Sequence, residues 1–289
     1  MELISGIIQI SHLYYYLVFD VWGVIHDGNL AYPGALEAVS FLRQQNKKIC
    51  FLSNAPRRAY KVAAVLQKFG ITPDLYDFIL SSGEAVFLDL EKNQKNEFRD
   101  FGKNYFYIGP EKDIDLLDGL DYKKVKMASE AHFAIATGFN NENSTLAEKL
   151  PLALEAKKNN LDMICANPDM IVVRQDGSKM ICAGTLACEY EKIGGKVVYY
   201  GKPFSAVYAM VCKTFNDPES GRILAIGDGI ETDIKGASDF GIDSLLVTGG
   251  ILSNLLNINY KQNADQSSLE AICNEYKLFP KFVISNLKL

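Results

Sequence analysis

An excess of positive charge is absent: 30 Lys and Arg stand against 35 Asp and Glu in 289 residues, a net charge of −5. The basic residues are scattered, so a polyanion meets no electrostatic footprint and nucleic acid is not an expected partner. Zinc-type and redox cysteine patterns are also absent. The six cysteines, Cys50, Cys165, Cys182, Cys188, Cys212 and Cys273, contain no C-x-x-C spacing and do not combine with the three histidines in a metal pattern. Most lie in apolar runs, which fits reduced, buried thiols. The opening Met1-Glu2-Leu3-Ile4-Ser5 has no basic n-region, and the apolar stretch beyond it is broken by Ser11 and His12. Neither a signal peptide nor a membrane-spanning helix is expected, and the expected location is the cytoplasm. Internal repeats and low-complexity tracts are missing too.

What is present is an average globular composition, 48% hydrophobic and 22% charged, in a chain long enough for two domains. Short apolar runs alternate with amphipathic ones. Tyr15 to Phe19 reads as a strand, Pro33-Gly34 opens a helix through Gln44, Lys48 to Leu52 is a second strand, Arg57 to Phe69 a helix, and Phe78 to Leu80 a third strand. This pattern predicts an α/β fold, a parallel sheet with helices on both faces. A polar stretch from Glu91 to Asn104 then reads as a connection into a second βα unit, with strands Tyr105 to Ile108, His132 to Thr137 and Leu161 to Cys165 and a helix from Ser144 to Lys158. Beyond Gly194-Gly195 the first pattern is expected to resume: strand Val197 to Tyr200, a helix after Pro203, strand Ile223 to Ile226, a helix from Asp233, and strand Ser244 to Val247. The expected division is a core over 1–90 and 196–289, with residues 91–195 inserted.

Ligands of open α/β sheets sit at the carboxyl ends of strands. Four polar positions follow apolar strands here: Asp20, Ser53-Asn54, Lys202, and Asp228 with Asp233 five residues on. Singly, each is ordinary turn or cap chemistry. Together they suit phosphoryl transfer, which depends on positioning and charge neutralisation. Asp20 is a candidate nucleophile, and Asp20 with Asp228 offers hard oxygens to Mg²⁺. The Ser53 hydroxyl and the Asn54 N–H can donate to phosphate oxygens, Lys202 adds a compact positive charge, and Asp233 is placed to cap a helix and orient a metal-bound water.

The ordered segments Phe19-Asp20-Val21-Trp22-Gly23-Val24, Leu52-Ser53-Asn54, Gly201-Lys202-Pro203 and Gly227-Asp228-Gly229 with Asp233 resemble the four motifs of the haloacid dehalogenase (HAD) superfamily. Pro33-Gly34-Ala35, Ser81-Ser82-Gly83-Glu84, Ala166-Asn167-Pro168-Asp169 and Ala183-Gly184-Thr185 are similar to its class IIA, which includes 4-nitrophenyl-phosphatases, pyridoxal phosphatases and nucleotide or sugar phosphatases. The resemblance spans Leu17 to Val247. It implies a Rossmann-like core with a C2-type α/β cap, a small phosphorylated metabolite as substrate, magnesium as cofactor, Asn167 and Asp169 near the substrate, and in some relatives a homodimer through the cap. The family's first motif reads Asp-x-Asp, and its second Asp moves protons to the leaving group and from water. That position here is Trp22, whose backbone carbonyl can still serve the metal while its side chain cannot serve the proton. Such acid–base help typically contributes ~10²–10⁴ in rate. His26 or Asp27 could replace it, or could simply be turn residues. The expected activity is phosphoester hydrolysis that is weak on poor leaving groups, and the rival reading is a catalytically impaired phosphate-metabolite binder. A dinucleotide oxidoreductase would need G-x-G-x-x-G at the first turn, whereas Gly227-Asp228-Gly229 comes late and meets Thr232 where a third Gly belongs.

Overall fold

The computed structural model describes residues 1–92, 102–253, 255, 256, 258 and 262–289. In chain order the elements are β1 (Glu2–Leu3), β2 (Tyr16–Phe19), α1 (Ala35–Gln44), β3 (Lys48–Ser53), α2 (Ala59–Lys68), β4 (Phe78–Ser81), α3 (Ser82–Lys92), β5 (Asn104–Ile108), β6 (Lys123–Val125), β7 (Phe133–Ala136), α4 (Leu146–Lys158) and β8 (Asp162–Cys165). There follow β9 (Ile171–Val173), β10 (Lys179–Ile181), α5 (Ala183–Lys192), β11 (Val197–Tyr199), α6 (Ser205–Thr214), β12 (Ile223–Gly227), α7 (Lys235–Phe240), β13 (Asp243–Val247), α8 (Gln266–Tyr276) and β14 (Phe282–Ile284). Of the polar connection expected over 91–104, residues 93–101 lie outside the described residues. Among the described residues no helix is long and apolar enough to cross a membrane.

Seven parallel strands form the larger sheet in the order β1-β14-β13-β12-β2-β3-β4. The chain runs outward one way from β2 through β3 to β4, then restarts at β12 on the other side of β2. The crevice between β2 and β12 is therefore the topological switch point where an open parallel sheet takes its ligand. Central strands buried on both faces need near-continuous apolar side chains, and Leu17-Val18-Phe19 and Ile223-Leu224-Ala225-Ile226 supply them. On one face Phe19 and Phe51 pack with Val39 and Leu42 of α1 and Leu66 of α2. On the other, Val18 and Leu52 meet Val207, Tyr208 and Val211 of α6.

The inserted unit carries a five-stranded parallel sheet, β11-β8-β7-β5-β6, and a separate antiparallel hairpin, β9-β10. One expectation is corrected here. The strand expected at Val197 to Tyr200 within the core is β11, which pairs parallel with β8, Val198 opposite Ile164, as an edge of the smaller sheet. The chain re-enters the core only at Gly201. An apolar run does not state which sheet it joins, because its partner lies more than thirty residues earlier in the sequence. The two units share one apolar cluster, in which Tyr105, Phe133, Ile135 and Ile164 of the smaller sheet join Val86 and Leu90 of α3 and the core residues around α6.

Candidate active site

Adjacent strands bring the first pair of carboxylates together. Phe19 stands opposite Ile226, and the N–H of Asp20 extends the ladder by donating to the Ile226 carbonyl at 2.7 Å. Asp20 thus leaves β2 beside the loop that carries Asp228. Two glycines make room for the second carboxylate: a Cβ on Gly23 would lie 1.9 Å, and one on Gly250 2.0 Å, from Asp228 Oδ2. That oxygen accepts the Ile251 N–H at 2.7 Å. Asp233 belongs to a π-helical turn, Ile230–Ile234, ahead of α7. It does not cap that helix as expected. Instead its Oδ2 accepts the Gly229 N–H at 3.1 Å, which folds the turn back toward Asp228, a local irregularity of the kind that often marks a functional position.

Lys202 closes the group. Its Nζ donates to Asp233 Oδ1 at 2.7 Å and to Asp20 Oδ1 at 2.5 Å, with every member buried. Burial alone would pull the ammonium down, but the carboxylates of Asp20 and Asp233 outweigh it and hold Lys202 protonated. Two of the carboxylates, Asp20 and Asp228, are disfavoured in their ionised form. Burial pushes Asp20 well above the ordinary carboxylate range despite Lys202, and burial followed by the charge of Asp233 pushes Asp228 up to about 7.

With all three carboxylates ionised, one ammonium would leave two negative charges uncompensated in a buried pocket; burial therefore favours the protonated forms of Asp20 and Asp228, and a bound cation would favour the ionised set. Ligand oxygens of Asp20, Asp228 and Asp233 all lie within 4.8 Å of one another. Hard oxygen donors, a surplus charge of two and close spacing fit a small divalent cation such as Mg²⁺.

A web of hydrogen bonds ties the inserted unit to this group. Asn54 accepts the Lys202 N–H through Oδ1 at 2.7 Å, and its Nδ2 donates to the Lys202 carbonyl at 3.1 Å and to Asp169 Oδ1 at 2.7 Å. Gly201, at φ +126°, allows this contact, since a Cβ there would sit 2.5 Å from Asn54 Oδ1. Burial raises Asp169 to about 6 against the opposing Asn54 bond. Asn167 Oδ1 accepts the Asp169 N–H at 3.1 Å in a local turn, and Ser53 Oγ accepts the Ala55 N–H at 3.2 Å. Asp20, Trp22, Ser53, Asn54, Asn167, Asp169, Lys202 and Asp228 all line one cavity of about 1050 Å³ between the two units.

Of the two residues expected as possible substitutes for an acid at position 22, Asp27 is fully engaged, whereas His26 keeps Nε2 buried with no partner among the described residues. Both Asp27 oxygens are engaged: Oδ1 accepts the N–H groups of Asn29 and Leu30, and Oδ2 that of Gln175. Burial would raise this carboxyl, but those three donors hold it low. His26 stacks on Phe69 at 4.6 Å and accepts the Gly28 N–H on Nδ1 at 2.8 Å. Burial, opposed by Asp27, drops its pKa to about 4, so the ring is neutral with its proton on Nε2. Sequence reading overlooked Gly250 and Ile251, which shape the Asp228 pocket, and the Val173–Gln175 edge that receives Trp22 and Asp27. The glycine pair Gly249-Gly250 directly after β13 was the available signal for the first, as a strand-end turn where backbone approaches a ligand group.

Residues 17–123 match a family model described as haloacid dehalogenase-like hydrolase, and residues 199–271 match one described as HAD-hydrolase-like. The chain is 30% identical over 239 residues to the sugar-phosphatase AraL of Bacillus subtilis (strain 168), covering 81% of this chain and 83% of that one. It is 25% identical over 245 residues to chronophin of Rattus norvegicus, covering 82% and 77%. Among solved structures, a haloacid dehalogenase-like hydrolase from Brucella suis 1330 superposes with a TM-score of 0.81 at 29% identity, covering 98% of this chain and 99% of that chain.

Proposed function

The chain belongs to the haloacid dehalogenase-like hydrolases and is a phosphoric monoester hydrolase, and we propose that it hydrolyses a small phosphorylated metabolite with magnesium, through an aspartyl-phosphate on Asp20. The observation that carries this reading is the meeting of Asp20, Asp228 and Asp233 around Lys202 at the switch point of the sheet. Lys202 engages Asp20 Oδ1, so Oδ2 is the oxygen offered to phosphorus. Attack forms the Asp20–phosphorus bond and breaks the bond to the leaving-group oxygen, and water then releases phosphate and restores the carboxylate. The Ser53 hydroxyl, the Asn54 N–H and Lys202 neutralise the equatorial oxygens, where charge gathers in the transition state. Magnesium, held by Asp20, Asp228, the Trp22 carbonyl and, through water, Asp233, would supply charge neutralisation between nucleophile and phosphate. Asn167 and Asp169 face the leaving group from the cap.

The Trp22 indole N–H is not acidic and is given to the Val173 carbonyl, Asp27 is engaged in the flap, and His26 is a neutral imidazole. Aryl and acyl phosphates, whose leaving groups depart unprotonated, are the favoured substrates in this reading. The test is a phosphate-release screen over sugar phosphates, nucleotides and 4-nitrophenyl phosphate with and without Mg²⁺, run beside Asp20→Asn. The expected result is Mg²⁺-dependent release that Asp20→Asn abolishes; release of equal speed in the variant would rule out the covalent route. The same screen separates a binder, which would give no release above background.

A further inference from the structure

The cavity wall formed by the β9–β10 hairpin has an edge that its own two-stranded sheet leaves unpaired. Val173 stands opposite Lys179, and the Arg174 N–H pairs inward with the Ser178 carbonyl at 3.0 Å. The Val173 C=O and the Gln175 N–H then face outward, side by side at the far edge of β9 and the turn that follows it. An open edge with unsatisfied backbone groups invites a partner strand. No strand is there. The Trp22 indole N–H donates to the Val173 carbonyl at 2.8 Å, and Asp27 Oδ2 accepts the Gln175 N–H at 3.0 Å. One donor and one acceptor, from two side chains of a single flap, stand where a neighbouring strand would place its own.

The flap is built to present them. Gly28 adopts φ +92°, and a Cβ there would come within 2.7 Å of the Trp22 ring. Asp27 Oδ1 accepts the Asn29 and Leu30 N–H groups at 2.9 and 2.6 Å, which aims Oδ2 at the hairpin. Between the two clasped backbone groups sits Arg174, which lines the cavity and pairs with Glu142.

We propose that Trp22 and Asp27 are positioning residues that act as a surrogate strand along β9, locking the hairpin and Arg174 over the phosphate site and so setting the shape of the leaving-group pocket. The residue standing where family members keep a proton-transfer carboxylate holds the cap instead. The claim about substrate rests on the phosphatase reading above; the claim about the hairpin does not.

The test compares wild type, Trp22→Phe, which keeps the ring and the backbone carbonyl but loses the donor, and Asp27→Asn, which keeps an oxygen for the flap but loses the acceptor toward Gln175. Hydrogen exchange is followed over 171–181, and kcat and KM are measured with 4-nitrophenyl phosphate. Exchange at Gln175 is expected to quicken about tenfold or more in either variant, as for loss of one hydrogen bond. KM is expected to rise about tenfold with a smaller fall in kcat, the mark of lost binding geometry rather than lost chemistry. Unchanged exchange across the hairpin in both variants would overturn the proposal, and so would faster exchange with an unchanged KM. A wild-type protein that releases no phosphate from any ester would defeat the phosphatase reading while leaving the exchange comparison to decide the clasp.

Discussion

In the proposed mechanism, an indole at position 22, where the family motif carries a carboxylate, makes turnover depend on the leaving group. With no proton donor there, turnover should fall with the basicity of the leaving group. Trp22→Asp restores a carboxyl at that position while giving up the bond to Val173. The expected outcome is a narrower gap between aryl and alkyl phosphates, with alkyl turnover rising by ~10² or more relative to aryl. Competitive rates on 4-nitrophenyl phosphate and an alkyl phosphate measure it, and an unchanged ratio would show that position 22 does not govern leaving-group protonation.

His26 gives a pH dependence of stability. Its pKa falls from 6.5 to about 4 on folding, because burial disfavours the imidazolium. Between those values the unfolded chain binds a proton that the folded chain refuses, so the stabilisation present above pH 6.5 is lost as pH drops. At pH 5 the loss is roughly 2 kcal/mol. Thermal melts of wild type from pH 7 to 5 should show this slope. His26→Asn, which keeps an acceptor for the Gly28 N–H, should flatten it; equal slopes would contradict the assignment. His26 and Asp27 are both legible in the sequence as possible acids or as turn residues, but their partners, Phe69 and Gly28 for His26 and Gln175 for Asp27, are not.

Strand ends and the turns after them carry the candidate site. Asp228 fits because Gly23 and Gly250 leave a slot for its carboxylate. Gly250→Ala should push that carboxylate aside and lower Mg²⁺-dependent turnover by about 10²-fold, as displacements of about an ångström do, while circular dichroism stays native. An undiminished rate would mean that Asp228 has room to spare. The long apolar runs that build the central strands, and helices such as α1 and α2, were legible because burial on two faces or on one helical stripe leaves a strong period. The three-residue strands β9 and β10 were not, since so short a stretch shows no alternation. β11 is legible as a strand but its sheet is not, and Asp233, expected to cap a helix, lies inside a π-helical turn.

At the scale of the whole molecule, cap and core are joined on several sides of the cavity. Arg57 pairs with buried Asp113 at 3.2 Å, Lys61 with Asp115 at 2.5 Å, Ser82 Oγ with the Ala166 carbonyl, and Trp22 and Asp27 with the hairpin. Lys202 itself is delivered by a strand of the cap sheet into the acidic group of the core, so the site exists only where both units meet. The sequence showed four motifs in order and an insertion between them. It did not show this dependence, because the contacts that create it join residues from 31 to 182 positions apart, beyond the reach of any local pattern. Asp20 and Asp228 are proposed to share one cation beside Lys202, and calorimetric titration of Mg²⁺ into wild type and Asp228→Asn tests that most directly. Saturable binding of one ion per chain that disappears in the variant is the predicted result. Binding of equal affinity and stoichiometry in the variant would contradict it.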